Sequence, residues 1–196
     1  MSVVTLTPTL LAEACHRLAH RVTAAGCSPS VVIGIQTGGA EVARLLRKDF
    51  PGSAYCEVCL SRPDTKQKQT GFLHRMLQHL PLWLCDVLRI LESRINEYRS
   101  HNKAPLRIGS VALPAEVVNR LPAAPVLLLV DDAIDTGATI QQAREQLVRQ
   151  LPNADVRVAV ITVTTSRPMC DADFCLYHNR TLCRFPWSND YRKSFS

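Results

Sequence analysis

Apolar and polar positions follow two rhythms along the chain. Leu11, Ala14, Cys15, Leu18, Ala19 and Val22 recur at intervals of three and four, which places them on one face of a helix. Thr7 and Pro8 supply an N-cap and a proline at the first helical position, and Gly26 closes the stretch. Residues 31–35 are an unbroken apolar run, the pattern of a strand buried on both faces, and the run stops at Gln36, Thr37, Gly38 and Gly39. Val42, Ala43, Leu45, Leu46 and Phe50 form a second helical stripe, ended by Pro51 and Gly52. Residues 54–60 read as a strand that breaks at Ser61, Arg62, Pro63 and Asp64.

Between residues 71 and 98 the rhythm is helical, as two helices split at Pro81, with Leu84, Val87, Leu88, Leu91 and Ile95 on one face of the second. A lid over a site, a dimer arm and plain core packing all suit such a stripe, and burial is its first use. Asp86, Arg89, Glu92 and Arg94 interrupt it too often for a membrane span. Residues 106–125 read as a connection in which Ile108, Val111 and Leu113 suit a short strand and Pro114, Pro122 and Pro125 punctuate the rest. A second unbroken apolar run at 126–130 ends in Asp131 and Asp132, and Ile140, Ala143, Leu147 and Leu151 then mark a helix. Residues 156–163 are a further buried strand. The remainder, 166–196, is irregular and carries Phe174, Tyr177, Phe185, Trp187, Tyr191 and Phe195, a composition that suits a small flap beside a sheet.

Strands and helices thus alternate. The pattern predicts an α/β fold: a parallel twisted sheet with right-handed crossovers and helices on both faces. At 196 residues it predicts one domain, 1–196, with a helical insert at 65–104 and a C-terminal hood at 166–196.

Composition narrows the classes. A hydrophobic fraction of 46% with 20% charged residues excludes disordered and collagen-like chains. The net charge of +6 suits nucleic acid or a phosphorylated small molecule, but the basic residues are scattered apart from Arg62, Lys66 and Lys68, which argues against nucleic acid as the main partner. The amino terminus lacks a basic region followed by an apolar core, so a cytoplasmic location is expected. Several of the eight cysteines fall at apolar positions of helix or strand patterns, which predicts reduced, buried thiols. Cys56 and Cys59 form a C-x-x-C without a second pair at zinc-ribbon spacing, and His74, His79 and His101 make no metal-ligand pair.

The chemistry concentrates at residues 126–139, VLLLVDDAIDTGAT. Two carboxylates stand at the carboxyl end of a strand, where open α/β sheets place ligands. Small residues and hydroxyls follow at a helix start, whose backbone N–H groups suit a phosphate. This stretch resembles, without a gap, the 5-phosphoribosyl 1-diphosphate (PRPP) binding motif of type I phosphoribosyltransferases.

The resemblance implies a Mg²⁺-dependent enzyme that transfers the phosphoribosyl group from PRPP to a nucleobase and releases diphosphate. Asp131 and Asp132 would hold the ribose hydroxyls and the metal, and Asp135, Thr136, Gly137, Ala138 and Thr139 the 5′-phosphate. Thr37, Gly38 and Gly39 stand where the family places its diphosphate loop, with Thr37 where many members carry Arg or Lys. Arg62 lies where the family has its mobile catalytic loop. Asp135 matches the aspartate that 6-oxopurine enzymes hold near purine N7 as acid or base. The tail TLCRFPWS is similar to the end of the hood in xanthine-guanine and hypoxanthine enzymes, which makes Leu182, Tyr177 or Phe185 a candidate to cover the base. The lysine that reads the purine 6-oxygen has no match at Thr164, Thr165 or Ser166, and Arg167 is the nearest cation. A 6-oxopurine is the favoured acceptor. A non-salvage acceptor in a specialised pathway and a non-catalytic PRPP- or nucleotide-sensing regulator are the rivals. Small-molecule substrates, no membrane and a homo-oligomer, a dimer by analogy, complete the expectation.

Overall fold

The computed structural model describes residues 2–60, 80–100, 109–178 and 180–192. Arg62, Lys66, Lys68, His74, His79, His101, Ile108 and Phe195 lie outside them, as do the first predicted helix of the 71–98 stretch and the break at 61–64.

Five strands form the main sheet: β2 (Val31–Ile35), β3 (Ala54–Val58), β4 (Val126–Ile134), β5 (Asp155–Val163) and β6 (Phe174–Tyr177). They are all parallel, in the order β3-β2-β4-β5-β6. A second sheet of two strands pairs β1 (Val3–Thr5) with β7 (Leu182–Arg184), also in parallel, with Val3 opposite Leu182. The sequence pattern missed β1, β6 and β7. Each has three or four residues, too few for a periodicity to emerge, and β6 is short enough to pass as part of an irregular tail.

Helix α1 (Pro8–Ala24) forms as its pattern predicts. The Thr7 hydroxyl accepts from the Leu10 N–H at 3.3 Å, and all six stripe residues from Leu11 to Val22 are buried. Gly26, at φ +73°, turns the chain away after the last turn. With α2 (Gly38–Leu46) it packs on one face of the sheet, where Leu18, Val42 and Leu46 meet Val32, Leu128, Val130 and Ile161. Helices α4 (Ala115–Val118) and α5 (Ala138–Gln150) belong to the other face, where Ile140, Ala143 and Leu147 meet Ile33, Leu129, Val158 and Val160. Alternate residues of β2 and β4 therefore serve opposite cores, which is why both strands are apolar throughout.

The connection before β4 holds no strand among its described residues. Val111 and Gly109 instead lie on α5: Gln146 accepts from the Val111 N–H at 2.7 Å and donates to the Gly109 carbonyl, and Gln150 donates to the Val111 carbonyl. These side chains satisfy the backbone groups that a sheet ladder would otherwise take.

Helix α3 (Leu82–Ser100) departs from the expectation that its apolar stripe packs inward. Val87 is 43% exposed, Leu88 42% and Leu91 50%, while Cys85 is buried and Asp86 and Arg89 are half-buried. The reason lies in Arg184 of β7, whose guanidinium is withdrawn from water. It donates to Asp190 at 2.9 Å, to the Thr5 hydroxyl at 2.8 Å and to Asp86, and Arg89 bonds the other oxygen of Asp190 and the Cys183 carbonyl. A buried guanidinium without carboxylates is strongly unfavourable, so the helix turns the face with Asp86 and Arg89 toward β7. Val87, Leu88 and Leu91 are left outward.

Candidate active site

Along the chain the sheet grows from β2 outward to β3, then crosses back over β2 to place β4 on its other side. The carboxyl ends of β2 and β4 are thus the point at which the strand order reverses, and loops leaving them in opposite directions open a crevice. β2 delivers Gln36, Thr37, Gly38 and Gly39, and β4 delivers Asp131, Asp132 and the turn at 135–137. The two segments that the sequence marks for chemistry, nearly a hundred residues apart, meet there.

The meeting is close. A Cβ on Gly39 would stand 2.6 Å from the Val130 carbonyl oxygen and 2.8 Å from Asp131 Oδ1; one on Gly38 would stand 2.1 Å from Asp132 Oδ2 and 2.9 Å from Trp187 Nε1. Gly39 requires glycine because backbone atoms of the neighbouring strand fill the space of a side chain, whereas at Gly38 that space is taken by the ends of the Asp132 and Trp187 side chains. The Gln36–Thr37 peptide bond is cis, and α2 begins at Gly38, so the first amides of the helix border the carboxylates. Gln36 is drawn to the sheet edge, where it donates to Glu57 at 3.2 Å; Glu57 also accepts from the Tyr55 hydroxyl at 2.7 Å.

Asp131 and Asp132 lie in the carboxyl-terminal half of β4, both half-buried, and the Asp132 N–H donates to Asp131 Oδ1 at 2.9 Å. Burial, and then the charge of Asp132, push the Asp131 carboxyl well above the usual carboxylate range. Burial also raises Asp132, against hydrogen bonds from Trp187 and Asp131 that lower it. Two crowded carboxylates of this kind suit a divalent cation, whose charge removes their mutual repulsion. Among the described residues no group of three or more His, Cys, Asp or Glu side chains gathers to hold a metal, so a cation held by this pair would need water and substrate oxygens as its remaining ligands. Magnesium binds in this manner, and the pair fits it.

The turn after β4 leads straight into the start of α5. Gly137 takes φ +81°, with the Cys170 and Met169 amides packed against the place of its missing side chain. Thr136 accepts from the Ala138 N–H at 3.3 Å, and Ala138 and Thr139 open α5. Asp135 is exposed, and the buried Thr164 hydroxyl, at the end of β5, donates to its Oδ1 at 2.7 Å. The sequence marked Thr164 only as a place where a lysine is missing; its role in holding Asp135 shows only once β5 lies beside β4.

The acceptor candidates are dispersed. Arg167 stands in the exposed bend after β5. Tyr177 ends β6, and its hydroxyl accepts from Arg17 of α1 at 3.2 Å. Leu182 is buried in β7 beside β1. Neither Tyr177 nor Leu182 is brought to Asp135 by a described contact. Trp187, in contrast, reaches the carboxylates: its indole N–H donates to Asp132 Oδ2 at 2.9 Å, and its ring stacks on Phe185 with centroids 4.9 Å apart. In the sequence it is one aromatic among several in the tail, and the signal that sets it apart is an indole N–H, which needs a partner when its ring packs against the protein. Cys56 is buried on β3, Cys59 is exposed just beyond it, and the thiols of Cys15, Cys56, Cys175 and Cys183 are pushed up by burial, to about 11 or 12.

No protein-family model and no curated protein matches the chain. Solved structures do. A purine phosphoribosyltransferase from Pyrococcus horikoshii is 17% identical at a TM-score of 0.61, over 96% of this chain and 95% of that one. A hypothetical protein from Neisseria gonorrhoeae with bound ppGpp is 16% identical at 0.60, over 95% and 89%. A xanthine-guanine-hypoxanthine phosphoribosyltransferase from Helicobacter pylori is 11% identical at 0.60, over 94% and 91%. With its sheet order, its two facing loops and these neighbours, the chain has the fold of the type I phosphoribosyltransferases.

Proposed function

We propose that the chain transfers the 5-phosphoribosyl group from PRPP to a nucleobase, a 6-oxopurine being favoured, with release of diphosphate. The observation that carries this reading is the convergence of Gly38 and Gly39 on Asp131 and Asp132 at the switch point of the sheet. A donor with neighbouring hydroxyls, a 5′-phosphate and a diphosphate finds a matched group at each position.

Asp131 and Asp132 accept the ribose hydroxyls. The amides opening α5, with Thr136 and Thr139, take the 5′-phosphate, and the amides of Thr37, Gly38 and Gly39 take the diphosphate. Magnesium held by the two aspartates would neutralise charge on the carboxylates and the donor. Arg62, outside the described residues, is the cation proposed to stabilise the leaving diphosphate. Asp135, fixed by Thr164, faces the acceptor as proton donor or acceptor at a ring nitrogen, and Arg167 is the favoured cation at the base. Catalysis on this reading rests on alignment and on stabilising the departing diphosphate.

The test is to incubate the protein with PRPP, Mg²⁺ and a panel of bases and to measure diphosphate release. Release with hypoxanthine, guanine or xanthine is expected. PRPP binding without turnover on any base overturns the salvage reading. It would favour the nucleotide-sensing reading, which the ppGpp held by the Neisseria gonorrhoeae neighbour supports, or transfer to a non-salvage acceptor, which the absent lysine at 164–166 supports.

A further inference from the structure

Three segments far apart in sequence meet at one oxygen. Asp132 Oδ2 accepts from Trp187 Nε1 at 2.9 Å, and the same oxygen and the same indole nitrogen are the atoms a side chain at Gly38 would strike. The ribose-binding carboxylate, the diphosphate loop and the C-terminal segment are therefore in mutual contact. The contact is built from below. The Phe185 ring lies flat under the indole, at an interplanar angle of 5°, and Phe185 is 5% exposed. The turn carrying both is closed by two bonds: the Phe185 N–H donates to the Ser188 hydroxyl at 3.0 Å, and the Ser188 N–H donates to the Phe185 carbonyl at 2.9 Å. On either side of it Arg184 and Asp190 are locked to each other and to α3. The indole itself is 37% exposed, so a ligand in the crevice can touch it.

We propose that Trp187 is a positioning residue of the donor site: its indole N–H aims the Asp132 carboxylate at the ribose hydroxyls, and its ring senses whether that site is filled. The proposal rests on the donor reading given above. An ionised carboxylate has about four acceptor positions, and the indole uses one of them. The others stay free for ribose hydroxyls, so the donor binds without displacing the tryptophan. Without the N–H, the carboxylate faces only Asp131 and the amides around it, and it is free to rotate toward the space beside Gly38 through which the diphosphate runs. The tryptophan thus acts on the donor and not on the acceptor.

The chain contains two tryptophans, and the other, Trp83, is 66% exposed on α3. Trp83→Phe therefore leaves Trp187 as the single indole with the site intact. In that protein, titration with PRPP and Mg²⁺ is expected to change the intrinsic fluorescence saturably, with the midpoint that equilibrium dialysis of PRPP gives. Trp187→Phe keeps an aromatic ring on Phe185 and removes only the N–H. Its PRPP affinity is expected to fall about tenfold, because the Asp132 carboxylate is no longer held facing the ribose hydroxyls before the donor arrives. KM for PRPP should rise with it, while KM for the base and the thermal midpoint without ligand stay near those of the unsubstituted protein. A folded Trp187→Phe protein with undiminished PRPP affinity overturns the proposal. So does unchanged Trp187 fluorescence when dialysis shows PRPP bound, a measurement that decides even if Trp187→Phe fails to fold. Absence of PRPP binding by the unsubstituted protein is a separate result, which overturns the donor reading and this inference together.

Discussion

A methyl group added at Gly39 would press on the Val130 carbonyl oxygen at 2.6 Å and on Asp131 Cα at 2.7 Å, and backbone atoms of a central strand have nowhere to go. Gly39→Ala is therefore expected to lose about 1–3 kcal/mol of stability, the ordinary cost of forcing extra volume into a packed site. Urea denaturation measures it, and a loss below the experimental error would mean that the loop and strand end are not in contact. Asp132→Asn separates function from stability. It removes a carboxylate that burial disfavours and whose charge raises Asp131, so the ligand-free thermal midpoint should stay level or rise by a few degrees. PRPP affinity should nevertheless fall, by on the order of tenfold or more, because the hydroxyls and the cation lose a charged acceptor. Undiminished affinity would remove Asp132 from the site. Of these residues the sequence made the carboxylates legible, since acids at the end of an apolar strand have no packing purpose. Trp187 and Thr164 were not legible as partners: each acts across a contact, 55 and 29 positions along the chain respectively, that only the folded sheet creates.

At the scale of elements, α3 is where sequence pattern and packing part. Its stripe satisfies a helical rhythm, and periodicity carries no information about which face a neighbour demands. The demand comes from Arg184 and Asp190, whose relation to Asp86 and Arg89 is fixed by the pairing of β7 with β1. β7 itself, with three residues, left no trace in the pattern. The longer elements, α1, β2, β4 and β5, were legible because each buries enough residues to impose its period. The network makes a dated prediction in pH. Burial alone would raise the Asp190 carboxyl, but the Arg89 charge and the hydrogen bonds from Arg184 and Arg89 prevail and hold it below its ordinary 3.8. A carboxyl depressed in the folded state adds stability that is complete above the unfolded value and is lost as pH falls through the folded one. Asp190→Asn should accordingly cost about 3–5 kcal/mol at pH 7, as removal of one partner from a buried ion pair does. The gap from the unsubstituted protein should narrow below about pH 4 as the native carboxyl is protonated too, which urea titrations at the two pH values would show. A difference independent of pH would mean that Asp190 acts by packing alone.

For the whole molecule, the strand order does more than support loops: it makes the site a joint between β2 and β4, with the C-terminal turn laid over it. A ligand that touches Gly38, Asp132 and the start of α5 ties these parts together and stabilises the folded state by mass action. At a concentration of a hundred times its Kd this amounts to about 2.7 kcal/mol. For a chain of this size each kcal/mol moves the thermal midpoint by about 2–4 °C, so PRPP with Mg²⁺ should raise it by roughly 5–10 °C. The dependence on pH has a definite sign. The Asp131 carboxyl is raised by burial and by the charge of Asp132, and the Asp132 carboxyl by burial, so without ligand the folded protein holds more protons than the unfolded chain over the interval from their ordinary value of 3.8 up to the raised ones. Ligand-free stability contributed by this pair therefore falls as pH rises through that interval. A cation bound with the donor favours the ionised pair, so the shift in midpoint caused by PRPP and Mg²⁺ should grow with pH over the same interval, and EDTA should abolish the growth. Thermal melts at a series of pH values, with and without the donor and the chelator, give both quantities from one protein. A ligand shift that is flat in pH would mean that PRPP binds without engaging the carboxylate pair, and the two aspartates would then lose their assignment even if the protein proved active.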